Sequence, residues 1–155
     1  MAPLITLIVV TLLARLAGTL KLGRDYFATL PATLCPGVAA MFLLTGGAHF
    51  IGLRADFMRM VPPALGHPGF WVTFTGVAEI AGAIGILIPA TRRVAAVGLL
   101  LLLLALFPAN AYAARHQIML GGEPATPLIQ RSIEQIIYFG AVAWAGFGRR
   151  KKVAK

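Results

Sequence analysis

The residues with the most chemical capacity are Glu79, His49, Asn110 and a polar stripe made by Arg131, Glu134, Gln135 and Tyr138. Each lies in or against a long apolar run. Glu79 sits near the middle of FWVTFTGVAEIAGAIGILIP, residues 70–89. A carboxylate at mid-membrane depth costs at least about 2.5–3.5 kcal/mol unless it finds a partner or a wet cavity. Arg131, Glu134, Gln135 and Tyr138 are spaced i, i+3, i+4 and i+7, so one helix carries them on one face. That face cannot meet acyl chains. Groups of this kind can hydrogen-bond carbonyls, relay protons, or fix helix register. The bland alternative is a local Arg131–Glu134 pair and a hydrogen-bonded structural histidine.

Five apolar segments must position these groups: residues 2–20, 36–53, 70–89, 93–113 and 128–147. Each has about 20 residues, enough at 1.5 Å per residue for a hydrocarbon core about 30 Å thick. The expected fold is all-α, a polytopic transmembrane helix bundle. Of the 155 residues, 59% are hydrophobic and 12% charged, with a mean hydropathy of +0.83. Soluble domains carry about 25% charged residues. The net charge of +9 does not point to nucleic acid. Five of the 14 basic residues fall in the last seven positions, as in a cytoplasmic anchor on anionic lipid. The single Cys35 excludes an intrachain disulfide and a multi-cysteine metal site. It reads as a small packed residue near a helix start.

Within the segments, Gly46 and Gly47 precede His49, with Thr45 and Gly46 on its face, and allow a close helix crossing. Gly76, Glu79, Gly82 and Ala83 share a face that should pack on helices. Pro108 lacks an N–H and conflicts with the Leu104 carbonyl, so a kink is expected there, beside Asn110. Residues 21–34 form a linker whose end is helical. Residues 54–69 hold three prolines, and Pro62-Pro63 should stop a short interfacial helix. Gly121-Gly122-Glu123-Pro124 should turn. Arg15 should snorkel to head groups.

With the N-terminus outside, inner segments hold Lys21, Arg24, Arg92, Arg93 and five tail charges, nine in all, against Arg54, Arg59 and Arg115 outside. The positive-inside bias gives an N-out, C-in topology. Cys35 then lies on the cytoplasmic side. His49, Asn110, Arg131, Glu134 and Gln135 fall in the outer half, with Glu79 about two and a half turns in from Trp71. Glu79 should face the bundle interior, within reach of His49, Asn110 or Arg131. A pocket lined by Gly76, Phe107 and Tyr138 should open beneath residues 54–69.

The motifs GGAHF (46–50), MRMVPPAL (58–65), TGVAEIAGAIG (75–85), PATRR (89–93) and FPANAY (107–112) together resemble the DoxX-like family of small bacterial integral membrane proteins. The resemblance spans residues 36–147. It implies a four-helix membrane core, residues 35–148, preceded by an additional transmembrane helix and linker, 1–34, and followed by a basic cytoplasmic tail, 149–155. It also implies the bacterial cytoplasmic membrane. The family name is associated with a small subunit of thiosulfate:quinone oxidoreduction and with membrane partners of redox-stress enzymes. No catalytic residue set carries over.

The expected function is therefore a non-catalytic membrane subunit or scaffold for a redox process, with an apolar slot for quinone and a redox enzyme partner or a homo-oligomer. No other cofactor and no metal motif is evident. A small proton-coupled transporter, using Glu79 and His49 as a relay, is the second expectation. A purely structural membrane partner is the third.

Overall fold

The computed structural model describes residues 1–20, 22, 27 and 29–149. Lys21, Arg24 and the basic positions Arg150, Lys151, Lys152 and Lys155, which entered the charge argument, lie outside the described residues. The chain is all-α apart from one two-residue ladder. It forms α1 (Ala2–Thr19), α2 (Leu30–Ala48), α3 (Arg54–Met60), a 3-10 turn (Pro63–Leu65), α4 (Pro68–Leu87), α5 (Arg92–Arg115), β1 (Met119–Leu120), β2 (Glu123–Pro124) and α6 (Leu128–Phe147). Four of these, α1, α2, α4 and α5, are long and apolar enough to cross a membrane. The fifth expected span, α6, is as long, but the polar residues of its first half hold it below that apolarity.

Helix boundaries follow local chemistry. Leu30 and Pro31 open α2 six residues before the expected start at Pro36, because proline is preorganised for the first turn. Pro36 is then carried inside the helix. The same shift ends α2 at Ala48 and makes His49 its C-cap rather than a residue one turn from the end. Met60 ends α3 directly before Val61-Pro62-Pro63, as the prolines require. α5 runs through Pro108 to Arg115. Gly121 and Gly122 both take positive φ, 61° and 88°. That pair makes a two-residue hairpin turn and pairs Met119 with Pro124 and Leu120 with Glu123.

Helices α2, α4, α5 and α6 close a ring in that order, each packed on the next and α6 back on α2. α2 also carries α1 on its outer side. Ten α2 residues are buried against two in α1, so α2 is the spine and α1 an outer addition. α1 can seat because Gly37 faces Thr11 and Leu7, where a Cβ would collide with both. Its Ile5, Ile8, Leu12, Leu13 and Leu16 remain exposed on the far side. The core joins Val38, Phe42, Ala83, Ile86, Leu99, Val142 and Ala145. Cys35 is fully buried in this core, its sulfur 3.5 Å and 3.6 Å from the carbonyl oxygens of Pro31 and Ala145.

Both ends of the ring are tied. At one end Arg92, buried to 9%, turns back to donate from Nε to the Ile86 carbonyl (3.1 Å) and from Nη2 to Leu87 (3.4 Å). A cation there satisfies carbonyls left open at the C-terminus of α4. At the other end α3 is clasped to the hairpin. The Gly121 N–H donates to Asp56 Oδ2 at 2.7 Å, and Arg59 pairs with Asp56 while donating to the Met119 carbonyl at 3.3 Å.

Candidate functional site

A close crossing of α2 and α4 positions the central acid. Gly46 on α2 meets the Gly76 carbonyl, and a Cβ on Gly46 would come within 3.1 Å of both that oxygen and Glu79 Cβ. A Cβ on Gly76 would stand 2.6 Å from His49 Cβ. Small residues on both helices thus bring α4 against the end of α2, as in membrane bundles generally. Glu79 is consequently turned inward, with 4% of its surface exposed.

Around Glu79 the partners are near but incomplete. His49 Nδ1 lies 3.9 Å from Glu79 Oε2. That nitrogen already donates to the Thr45 carbonyl at 2.9 Å, which places the proton on Nδ1 and holds the ring. The ring packs against Phe57 of α3 at 4.6 Å between centroids. The Thr45 side chain also faces the carboxyl, and Arg131 contributes its field from α6. Glu79 Oε2 itself has no hydrogen-bond partner among the described residues. Arg54 closes the outer edge, donating to the His49 carbonyl (3.3 Å), the Gly69 carbonyl (3.4 Å) and Thr73 Oγ1 (2.9 Å).

The stripe on α6 points into the ring as its spacing predicts: Glu134, Gln135 and Tyr138 are all buried. Arg131 Nη1 donates to Glu134 Oε2 at 3.3 Å, and Gln130 Nε2 to Glu134 Oε1 at 3.3 Å. Gln135 Nε2 donates to the Leu103 carbonyl at 2.6 Å. Leu103 is buried and Leu104 outward-facing, so the carbonyl used is one residue before the one expected from Pro108. Gln135 Oε1 and the Tyr138 hydroxyl are buried and have no hydrogen-bond partner among the described residues. Tyr138 feels the charges of both Glu134 and Arg131.

Five of the six sequence-derived residues thus face one interior region, in two groups: His49 with Glu79, and Arg131 with Glu134 and Gln135. Asn110 is only half-buried, and its side chain makes no hydrogen bond among the described residues. Residues of equal weight that sequence reasoning passed over are Arg54, placed only as a loop charge, and Gln130. Arg54 carried a signal, since its charge sits five residues beyond His49. Among the described residues no cluster of three or more His, Cys, Asp or Glu could hold a metal ion.

Two clefts are well formed, and neither is the expected pocket of Gly76, Phe107 and Tyr138. One, of about 450 Å³, lies between the N-termini of α1 and α6 and is lined by Met1, Leu4, Ile129, Ile133, Ile137 and Glu134, with Gln130 and Pro127. The other, of about 510 Å³, lies at the opposite end of the ring. The Gly46–Gly76 crossing explains the displacement: it fills the space beside Glu79 with His49 and Phe50. The first cleft reaches the polar stripe from the side instead.

No curated protein and no solved structure matches the chain. Residues 38–145, most of the sequence, from within α2 to near the end of α6 and including all of these polar groups, match the family model described as Domain of unknown function (DUF8561), and the chain belongs to that family.

Proposed function

We propose that this protein is a non-catalytic membrane subunit whose helix ring receives the head of a lipid-soluble, hydrogen-bonding molecule of the quinone type, in support of a redox enzyme partner. The observation that carries the proposal is that three of the five buried polar side-chain atoms without hydrogen-bond partners among the described residues, Glu79 Oε2, Gln135 Oε1 and the Tyr138 hydroxyl, belong to α4 and α6 of the ring; the other two, Thr11 Oγ1 and Thr29 Oγ1, belong to α1 and the N-cap of α2. Buried polar atoms normally have partners. A quinone carbonyl accepts from a hydroxyl, and a quinol donates to a carboxylate or an amide oxygen, so this trio suits both states. The cleft between α1 and α6 gives an apolar approach to Glu134, on the same helix face as Gln135 and Tyr138; Glu79, Gln135 and Tyr138 do not line it, so a ligand head reaches them only as the packing of the ring opens. The DoxX-like resemblance of the motifs, with α1 as an addition to a four-helix core, is consistent with this role, as is residence in a bacterial cytoplasmic membrane with the N-terminus outside and the C-terminus inside.

The test is retained quinone. Protein extracted from its native membrane in mild detergent should carry isoprenoid quinone at a substantial fraction of one per chain. Glu79→Gln and Tyr138→Phe should each lower that ratio several-fold while leaving the thermal midpoint within about 3 °C, since each is nearly isosteric. Wild-type protein free of quinone and of any co-purifying dehydrogenase would sink the reading. The structural alternative draws on the local pairing of Arg131 with Glu134, and under it both variants change nothing. Proton-coupled transport rests on the His49–Glu79 pair and would show as Glu79-dependent flux in proteoliposomes.

A further inference from the structure

At the end of the ring away from the polar stripe, the turn between α4 and α5 and the end of α6 enclose the cleft of about 510 Å³. Pro89, Ala90, Arg92, Arg93 and the run Gly146-Phe147-Gly148-Arg149 line it. Three arginines therefore line the cleft, and no acidic residue does. Arg92 is committed, since it is buried and bound to the Ile86 and Leu87 carbonyls. Arg93 and Arg149 make no hydrogen bond or ion pair among the described residues. The first turn of α5 holds no acid that would offset them.

Two features beside the cleft fix its surroundings. It sits where α4 ends and α5 begins, at the limit of two helices apolar enough to cross a membrane. Exposed apolar side chains continue away from it along the same helices: Ile88 and Val94 beside the turn, Trp144 and Phe147 on α6. An indole at this level is the usual mark of the head-group zone. The cleft thus offers a fork of cations at head-group depth and an apolar wall below it. Guanidinium pairs match the oxygens of a phosphate, which they can bind through parallel N–H donors.

We propose that this cleft binds one phosphate group, carried by an anionic phospholipid whose chains lie along Val94, Trp144 and Phe147. Gly146 makes the site possible. A Cβ there would collide with Ala96 and push α6 off α5. The lipid source rests on the reading of the apolar helices as membrane spans, but not on the quinone reading, which concerns the other end of the ring.

The test compares lipids on delipidated full-length protein in neutral detergent, with native mass spectrometry and the thermal midpoint as readouts. Phosphatidylglycerol should give a one-to-one adduct and raise the midpoint, and phosphatidylcholine should bind on the order of tenfold more weakly, as expected for two cations near the membrane surface. Arg93→Gln with Arg149→Gln should abolish that preference while the uncomplexed protein keeps its midpoint, because neither side chain holds another part of the fold. A variant with Arg150, Lys151, Lys152 and Lys155 all changed to Gln should keep the preference. Inorganic phosphate at millimolar concentration should not reproduce the shift. If it does so through the same two arginines, the phosphate site stands and its ligand is soluble. Equal binding of both lipids, or a preference that follows the tail variant instead, would overturn the site.

Discussion

Glu79 and Gly76 occupy the same face of α4, and each sets the other's role. The glycine admits His49, and the histidine then closes the space in which the carboxyl lies. Gly76→Ala places a Cβ 2.6 Å from His49 Cβ and 2.9 Å from the Phe50 ring. The neighbour at risk includes a Cβ rather than a flexible tip, so relief requires α2 and α4 to separate. Such overpacking costs about 1–3 kcal/mol. The expected outcome is a thermal midpoint lowered by several degrees, together with loss of whatever ligand Glu79 serves. A Gly76→Ala protein of wild-type stability would show that the crossing is looser than described. Gly47, one residue from the crossing, meets nothing within 4 Å of an added Cβ, so Gly47→Ala is the matched control and should be neutral or slightly stabilising, by up to about 1 kcal/mol from helix propensity.

Among the elements, α3 and the β1–β2 hairpin are joined through the Asp56 carboxylate, which takes the Gly121 N–H and also pairs with Arg59, the donor to the Met119 carbonyl. The Gly121 N–H and the Arg59 guanidinium hold the Asp56 carboxyl below the usual carboxylate range. Its folded value therefore lies under its unfolded one. The clasp is fully present at neutral pH and is lost as pH falls through the folded value, in the acid range below the ordinary aspartate pKa. Asp56→Asn should remove this acid dependence and free the hairpin at all pH values. Amide hydrogen exchange at residues 119–124 is the measurement: protection in wild type at pH 7, less near pH 3, and little at either pH in the variant. If the variant stayed protected at pH 7, Asp56 would not be the tie. Sequence reading anticipated α3 from the prolines and a turn from the glycines, but not that they touch. Asp56 and Gly121 are 65 residues apart, and no local pattern encodes such a partner. The helices themselves were legible because period, length and small-residue faces are local properties. Glu79 was legible as inward-facing because an acid has nowhere else to go. The open pocket was not, because whether two glycine faces leave a hole or close on each other depends on the side chains that cross between them.

At the scale of the molecule, four helices have the apolarity of a membrane span and α6 does not. Its first half carries Gln130, Arg131 and Glu134, which pair with one another within α6, and Gln135, whose amide N–H donates to the Leu103 carbonyl of α5. The penalty for an ionised residue of a lone helix entering lipid reaches about 2.5–3.5 kcal/mol at the helix centre and falls towards its ends, and Arg131 and Glu134 lie in the first two turns of α6. During synthesis α6 is therefore expected to be refused by the membrane when presented alone and accepted only once α2 and α5 stand ready. Fused by itself into an insertion reporter, it should enter poorly. Arg131→Leu with Glu134→Leu should make it enter freely, and efficient entry of the unaltered segment would contradict the idea. The sidedness of the C-terminus then becomes a report on assembly. Under the proposed N-out arrangement with α6 as a fifth span, the ends of the chain would lie on opposite sides, and a tag after Lys155 should be protected from external protease. With α6 left out the chain crosses four times, and the same tag is exposed on the side of Met1. Under that same arrangement, leaving α6 out would put the basic C-terminal segment on the outer side, so protease sensitivity of the tag would report how completely the ring has assembled.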